Sequence, residues 1–514
     1  MNKRKRFLTN ALMLSSVSIV MRGISVSFNA YINAKIGAES MGLFTLVMSV
    51  YGFALTVATS CVNLAAVRLT SERCAVLPGS DRRSWKYAMR KVVRAVSLYS
   101  ILFGVSSAAV LYMSSDLVAS RLLGDMRTVS SLKVMAFSLP AISLSSALSG
   151  YFTGLRKISK NAAVTVTEQF MKIIVTSTAL AVIIPGDVEK ACLAVVGGGV
   201  IAEAWSLVVN LILYFADTGR PAHHDCGENT LRLDTGFKDA AGISLPTAIG
   251  AYARQGLTTL EHLAIPKGLR RNGLTQEKAL ASYGLLQGIA FPLVMFPYSV
   301  IGAFTSLIVP EIAEKHELGD REGIRLITEE VYRYSAIFSL GACGIFVNYS
   351  AELGEMVYNS REAAVYTLML GMLVPFMYLD TAVDALLKGL GEQVYIMKIN
   401  ILDSAGGLLF VVLTTPFMGI YGYIITIWIC ELGNLWASIS KLGKLTGAGI
   451  GSAAKYYIKP TVVILVLSAV KNTLLESMPQ ILSIVIFAGL YLSVTAMIDS
   501  SAKKRKRPAK ASLI

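Results

Sequence analysis

Long apolar segments separated by short polar connections dominate this sequence. The segments run for about 20 to 28 residues, long enough for a helix to cross a hydrocarbon core of about 30 Å. Inside a bilayer only helices or closed barrels satisfy the backbone hydrogen bonds, and these segments are too long and unbroken for barrel strands. The pattern therefore predicts an all-α polytopic membrane protein with about 14 transmembrane helices.

The distribution of basic residues predicts the orientation of these spans. The predicted spans are 7–34, 41–68, 90–113, 130–155, 161–185, 190–216, 240–265, 281–310, 327–350, 363–388, 396–416, 419–441, 456–474 and 479–499. With a cytoplasmic N-terminus, most Lys and Arg lie in the tails and in the loops after even-numbered spans, as the positive-inside rule expects. The loop after span seven is the main exception. We therefore expect a multi-pass membrane protein with both termini in the cytoplasm.

Several motifs recur in the same order in the two halves of the chain, at offsets of 228 to 242 residues. The matched features are Arg22 with Arg254, Ser40-Met41-Gly42-Leu43-Phe44 with Ser282-Tyr283-Gly284-Leu285-Leu286, Gly154-Leu155 with Gly389-Leu390, Glu168 with Asp403, and Glu203 with Glu431. Six spans per repeat give two parallel lobes related by an axis along the membrane normal. The predicted divisions are an N-lobe (1–216), a cytoplasmic linker (217–239), a C-lobe (240–441), two accessory helices (442–500) and a basic cytoplasmic tail (501–514).

Composition and motif content exclude several functional classes. The chain has 514 residues, 54% of them hydrophobic, and a net charge of +15, but the basic clusters flank apolar segments without the interleaved aromatic residues of a nucleic-acid site. The six cysteines show no disulfide or zinc spacing. We interpret residues 223–226 (His-His-Asp-Cys) as a solvated loop rather than a metal site. No Walker loop or hydrolase elbow is present, so we expect neither an ATP site nor an enzyme, and no cofactor.

Three arginines are the candidate substrate-binding residues. Arg22 and Arg254 lie near the middle of the first span of each repeat, where an unpaired guanidinium costs about 2.5 kcal/mol or more. Two guanidiniums in a low-dielectric cleft would form an anion site suited to phosphate. The alternative is that each pairs with a membrane carboxylate and only holds helices together. Arg68 lies nearer a helix end, where it either contributes to the site or extends to the membrane surface.

Four further polar residues are candidates for coupling to protons or cations. Glu168 and Asp403 lie at matching depths in spans five and eleven, and either could titrate or could instead pair with an arginine. Glu261 and His262, near the outer end of span seven, could form a proton relay or an ordinary hydrated pair.

The remaining charged and proline residues within the spans are interpreted by their spacing. Asp380, Asp384 and Lys388 share one helical face, which we interpret as a self-neutralised stripe. Four prolines inside spans are candidate hinges or permanent kinks: Pro140, Pro292, Pro297 and Pro375.

The sequence also resembles a known family. Three segments carry the resemblance: 149–155 (Ser-Gly-Tyr-Phe-Thr-Gly-Leu) followed by Thr-Glu-Gln at 167–169, the segment from Phe291-Pro292 to Glu314, and 386–391 (Leu-Leu-Lys-Gly-Leu-Gly). They are similar to motifs of the polysaccharide flippase group of the MOP superfamily, which includes stage V sporulation protein B. Thr153 departs from the Gln that the group has at this position.

This resemblance implies two six-helix lobes with a V-shaped central cavity and two accessory helices. It implies translocation of an undecaprenyl-pyrophosphate-linked sugar by alternating access, with Arg22 and Arg254 lining the cavity. The expected partners are this lipid-linked sugar, membrane lipids and cell-wall synthesis proteins, with no nucleic acid, and we expect a monomer. Two alternatives stay open: a cation-coupled drug antiporter similar to multidrug and toxic compound extrusion (MATE) pumps, and a non-transporting scaffold of a wall-synthesis complex.

Overall fold

The computed structural model describes residues 3–76, 82–182, 187–218, 237–358, 360–471 and 478–506. Every regular element in these ranges is a helix, as the apolar pattern predicts. The predicted inter-lobe linker falls mostly outside the described residues, as do residues 223–226 and the end of the basic tail. The chain divides into two compact units, residues 1–284 with 411–416, and residues 285–410 with 417–514.

The helices of the first unit cover predicted spans one to seven and the start of span eight. They are α1 (Lys3–Thr59), α2 (Val62–Val76), α3 (Arg82–Leu117), α4 (Val129–Ala136), α5 (Ser138–Gly154), α6 (Ile158–Val182), α7 (Val188–Thr218), α8 (Phe237–Arg271) and α9 (Gln276–Tyr283). A π-helical turn at Val118–Leu123 and a short 3₁₀ turn at Met126–Thr128 connect α3 to α4. The predicted turn between spans one and two is reduced to one non-helical residue, Gly37, at φ 79°.

A π-helical segment at Gly284–Ala290 follows α9, and the second unit, from Leu285, contains the remaining spans. Its helices are α10 (Phe291–Val294), α11 (Tyr298–Glu317), α12 (Arg321–Asn348), α13 (Ser350–Tyr358), α14 (Arg361–Gly371), α15 (Val374–Gly389), α16 (Gln393–Met418), α17 (Ile420–Thr446), α18 (Ile450–Val470) and α19 (Gln480–Lys506). Residues 411–416 of α16 group with the first unit.

Length and apolar composition confirm a multi-pass membrane protein. Within the described ranges, seven helical regions could cross a membrane, or nine when the bent pairs α4–α5 and α14–α15 each count as one span. These regions cover predicted spans one to four, six and ten to fourteen. The other predicted spans lie on α6, α8, α9–α11 and α12.

Glycines at repeat-related positions bring helices into close contact inside each unit. A Cβ atom on Gly154 of α5 would lie 2.9 Å from the backbone oxygen of Val67 in α2. In the second unit, a Cβ on Gly389 of α15 would lie 3.0 Å from the backbone oxygen of Val309 in α11. Small residues allow membrane helices to approach this closely without side chains between them. The same contact is therefore built twice, which supports the internal repeat read from the sequence.

Apolar clusters fill the interior of each unit. In the first unit, Val92, Val96 and Tyr99 of α3 pack against buried residues of α2 and α5. In the second unit, buried residues of α11, α12, α15 and α17 pack around Leu386 and Leu387, which have no exposed surface.

Candidate functional site

Arg22 and Arg254 both have exposed side chains in the first unit. Within the described residues, neither guanidinium has an ion-pair or hydrogen-bond partner. Arg254 lies on the part of α8 that packs against α1, where Thr259 donates a hydrogen bond of 2.9 Å to the backbone oxygen of Ser49. At membrane depth, an arginine without a carboxylate partner requires water or an anionic ligand. That the two arginines face each other stays a prediction.

An open groove of about 600 Å³ runs along α1 from Val20 to Tyr31. Tyr31 and Ser27 of α1 line it on one side, and Ile173 and Ser177 of α6 on the other. The groove is mainly apolar with a few hydroxyl groups, so an aliphatic chain could lie along it.

Arg68 lies on α2 and is already paired. Its Nε lies 2.8 Å from Oε1 of Glu72 one turn along the same helix, and both side chains are more than half exposed. An exposed ion pair of this kind contributes only about 0 to 1 kcal/mol to stability. A stronger anion could therefore replace the carboxylate.

The carboxylates of the first unit meet between α6 and α7. Glu168 of α6 accepts a hydrogen bond from Ser206 of α7, and Glu203 of α7 lies within electrostatic range of Glu168. The hydroxyl oxygens of Ser206 and Ser145 are 3.4 Å apart, and Asn210 donates a 2.7 Å bond to Ser145. These groups form a continuous polar chain inside an otherwise apolar bundle.

The second unit holds a larger group of carboxylates between α15, α16 and α17. Asp380, only 8% exposed, interacts electrostatically with Glu431, Asp384 and Asp403. Its Oδ2 accepts a 3.2 Å hydrogen bond from Nδ2 of Asn434, whereas its Oδ1 has no partner among the described groups. The spacing of Asp380 along α15 did not indicate the whole group, because Glu431 and Asp403 lie on neighbouring helices.

The carboxylate pairs of the two units correspond to each other. Each pair has one carboxylate on the fifth span of its repeat and one on the sixth. In the first unit these are Glu168 on α6 and Glu203 on α7, and in the second unit Asp403 on α16 and Glu431 on α17. The two carboxylates of each pair interact electrostatically. The same acidic pair therefore occurs once in each unit. Within the described residues, no group of three or more His, Cys, Asp or Glu side chains is arranged to hold a metal ion.

His262 has a tyrosine as its hydrogen-bond partner. Its Nδ1 lies 2.7 Å from the hydroxyl of Tyr283 of α9, which has no exposed surface. Glu261 interacts electrostatically with the same tyrosine. Tyr283 therefore links the two predicted relay residues.

The four candidate hinge prolines all lie at helix breaks. Pro140 follows the 40° bend between α4 and α5, and Pro375 follows the 49° bend between α14 and α15. Pro292 lies in the first turn of α10, and Pro297 immediately precedes α11. Proline is tolerated at a helix start because the missing N–H has no intrahelical partner there.

A further break divides predicted span two at Ser60 and Cys61. Both residues have positive φ angles, 41° and 56°, although neither is glycine. Each such residue costs about 1–3 kcal/mol unless its surroundings hold it in place. Here Tyr99 of α3 donates a 3.3 Å bond to the Ser60 carbonyl, and Ser244 of α8 donates one of 3.3 Å to the Cys61 carbonyl.

Comparison with known proteins identifies the relatives of this arrangement. The model of the polysaccharide biosynthesis protein family matches residues 7–316. Stage V sporulation protein B of Bacillus subtilis (strain 168) is 23% identical over 422 residues, which cover 82% of this chain and 80% of that protein.

Solved structures show the same fold at low sequence identity. The lipid II flippase MurJ in an inward closed conformation has a TM-score of 0.67 and 13% identity, covering 94% of this chain and 98% of that chain. An inward-facing MATE multidrug resistance transporter of the MOP superfamily has a TM-score of 0.63 and 14% identity, covering 90% of this chain and 96% of that chain. The predicted fold class is confirmed, and the two solved structures are a flippase and a transporter.

Proposed function

Because this chain belongs to the polysaccharide biosynthesis protein family, we propose that it is a flippase for an undecaprenyl-pyrophosphate-linked sugar. It would translocate this lipid across the bacterial cytoplasmic membrane by alternating access of two six-helix lobes, 1–216 and 240–441. The sugar would serve cell-wall or polysaccharide assembly. Residues 217–239 would link the lobes in the cytoplasm, residues 442–500 would be accessory helices, and the tail 501–514 would be cytoplasmic like the N-terminus.

The observation that carries this proposal is the pair of unpaired arginines at matching positions of the repeat. Arg22 and Arg254 would hold the pyrophosphate, since a guanidinium donates two parallel hydrogen bonds to phosphate oxygens. Arg68 would join them by exchanging Glu72 for a phosphate oxygen. The groove along α1 would accommodate part of the polyprenyl chain.

The repeated carboxylate pairs would couple transport to protons or cations. Glu168 and Asp403 each interact with a second carboxylate, and like charges in a poorly solvated place cannot all ionise without a counter-ion. Loss or gain of a proton or Na⁺ there would change how α6 packs against α7 and how α16 packs against α17. Glu261 and His262 would relay this change through Tyr283, and the four prolines would provide the bends.

A cation antiporter similar to the MATE transporters is the second candidate. The carboxylate group around Asp380 favours it, because a positively charged drug would be attracted to those side chains. The two candidates differ in the charge of their substrate.

Binding of undecaprenyl pyrophosphate to the purified protein in nanodiscs tests the proposal. Replacing each arginine by glutamine, Arg22→Gln or Arg254→Gln, removes charge-assisted hydrogen bonds worth about 1.5–3 kcal/mol, which is about 10- to 100-fold in affinity. Arg361→Gln is the matched control, because the Arg361 side chain is 95% exposed. Unchanged affinity when Arg22→Gln and Arg254→Gln are combined would contradict the proposal. Tighter binding of organic cations than of the lipid would also contradict it.

A further inference from the structure

Basic residues accumulate at the end of the first unit that the predicted topology places outside the membrane. Lys267 and Arg270 lie three residues apart near the end of α8, so they share one helical face, and both are exposed. Short outer connections of membrane proteins usually carry few Lys and Arg. The connection after span seven departs from that rule, and the binding and coupling residues proposed above do not explain the departure.

These two cations lie beside the π-helical turn at Val118–Leu123. Nζ of Lys267 donates a hydrogen bond of 3.4 Å to the backbone oxygen of Arg121, which adds a third exposed cation in that turn. Gly124 ends the turn at φ 70°. Apart from its chain neighbours, the one described atom within 4 Å of a Cβ placed on Gly124 is Nη1 of Arg270, at 3.9 Å. The space beside this glycine is therefore open and bordered by a guanidinium.

Polar contacts from two helices hold the turn in place. Arg127 forms ion pairs of 2.7 Å with Asp125 and of 2.9 Å with Glu39 of α1. Gln276 of α9 donates hydrogen bonds of 3.0 Å to Asp125 and of 3.4 Å to the backbone oxygen of Gly124. Because the turn is already ordered, a ligand bound beside it would lose little affinity to ordering the protein.

The carboxylates at this end do not neutralise the three cations. Over the ranges that the structure describes, Arg121, Lys267 and Arg270 form no ion pair, and the exposed Glu277 of α9 pairs with none of them. Other carboxylates of this end are engaged by other cations: Asp116 by Lys133, Asp125 and Glu39 by Arg127, and Asp187 by Lys190. Like charges gathered at one turn attract an anion.

The donors of this group suit phosphate. A guanidinium presents two parallel N–H groups to phosphate oxygens, and Lys267 uses one of its three ammonium donors on the Arg121 carbonyl, leaving two. A lipid pyrophosphate carries more negative charge than the phosphodiester of a phospholipid, so three cations favour the pyrophosphate. The flippase proposed above delivers such a headgroup to this side of the membrane.

We propose that Arg121, Lys267 and Arg270 form an outer pyrophosphate site, which binds the headgroup of the lipid-linked sugar after translocation. This inference rests on the proposed flippase function and on the predicted topology. The outer site takes over the charge of the pyrophosphate as the lipid leaves Arg22 and Arg254.

Thiol protection tests the site without any transport measurement. With the six native cysteines replaced, Leu122→Cys, at a position 37% exposed, is labelled by a membrane-impermeant maleimide in right-side-out vesicles. Inorganic pyrophosphate, which does not cross the membrane, slows this labelling when added outside. Arg121→Gln combined with Arg270→Gln raises the half-protecting concentration about 10- to 100-fold, because charge-assisted hydrogen bonds are lost.

Lys190→Gln is the matched control, because Lys190 is 69% exposed at the same end and pairs with Asp187. It leaves the half-protecting concentration unchanged. Absence of protection by pyrophosphate, or equal half-protecting concentrations in the control and the Arg121→Gln, Arg270→Gln protein, would overturn the site. Labelling of Leu122→Cys only after the vesicles are permeabilised would also overturn it, because the turn would then not be at the outer surface.

A lipid comparison distinguishes the two sources of phosphate. The Leu122→Cys protein is reconstituted in phosphatidylcholine, and either undecaprenyl pyrophosphate or phosphatidylglycerol is added to the outer leaflet. The proposal predicts protection at a lower mole fraction of undecaprenyl pyrophosphate, and equal protection by phosphatidylglycerol would contradict it. Absence of flipping by the wild type would contradict the proposed function instead, and the protection measurements would still decide the outer site.

Discussion

Replacing Arg127 by methionine tests how strongly the charged network at the end of the first unit is held. The substitution keeps an unbranched apolar stem but removes the guanidinium that bridges Asp125 and Glu39. The Asp125 side chain is only 6% exposed, so it would keep a buried charge with fewer partners. Its remaining bonds would be those from the backbone N–H of residue 127 and from Gln276.

The loss of stability expected for Arg127→Met depends on how deeply the ion pair with Asp125 is buried. Breaking a fully buried ion pair costs about 3–5 kcal/mol. Since the Arg127 side chain is 35% exposed, solvent screening reduces this toward the value for hydrogen bonds to charged groups, about 1.5–3 kcal/mol. At about 2 °C per kcal/mol for a large domain, the apparent Tm in detergent would fall by about 3–6 °C.

Lys133→Met is the matched control for this experiment. Lys133 pairs with Asp116 at 3.1 Å, but their side chains are 34% and 63% exposed. An exposed pair contributes about 0–1 kcal/mol, so its Tm shift would be below about 2 °C. Equal shifts for Arg127→Met and Lys133→Met would refute the reasoning.

The pH dependence of this difference provides a second check. Burial raises the pKa of Asp125, but hydrogen bonds and charge from Arg127 outweigh burial and hold the pKa below its ordinary value. A depressed pKa stabilises the fold above the unfolded value of about 3.9, and this contribution is lost as pH falls through the folded pKa. Without the guanidinium, burial dominates and Asp125 takes up a proton at higher pH. The Tm gap between wild type and variant is therefore largest near pH 7 and narrows toward pH 4, and a constant gap would contradict the mechanism.

Three further outcomes follow from the packing and the buried polar groups. Gly154→Ala forces a Cβ to within 2.9 Å of a backbone oxygen and would destabilise the first unit by about 1–3 kcal/mol, whereas Gly199→Ala, with nothing within 4 Å, would not; equal thermal stabilities would contradict this. Tyr349→Phe removes a buried 2.8 Å hydrogen bond and would cost about 0.5–1.5 kcal/mol in thermal unfolding, against no change for the exposed Tyr87→Phe. Asp380→Asn would make flipping insensitive to imposed proton and Na⁺ gradients, and a wild-type gradient response would exclude the carboxylate group from coupling.

The local sequence pattern was sufficient to predict the helical membrane fold and to detect the internal repeat. A helix in lipid must be long and apolar, so the pattern alone indicates the spans. The repeat offsets also agree with the packing, because Gly154 and Gly389 meet repeat-related carbonyls in their own units. The division of span two at Ser60 and Cys61 had no local signal. Hydroxyl groups from α3 and α8 hold that break, and they are distant in sequence.

The polar site could be predicted only in part, for the same reason. The acidic residues of α15 looked self-neutralised because spacing along one helix shows only neighbours on that helix. Asp380 does interact with Lys388, but it also bonds Asn434 on α17 and interacts with Asp403 on α16. Likewise His262 bonds Tyr283, which lies 21 residues further along the chain. Such partners follow from helix packing, which the sequence pattern does not specify.

Flipping by the reconstituted protein tests the central claim most directly. Proteoliposomes are loaded with a labelled undecaprenyl-pyrophosphate-linked sugar, and its protection from an external membrane-impermeant reagent is followed over time. We predict that the wild type and Arg361→Gln translocate the lipid, and that Arg22→Ala combined with Arg254→Ala lowers the rate at least ten-fold. No translocation by the wild type, or the wild-type rate in the double variant, would contradict the account.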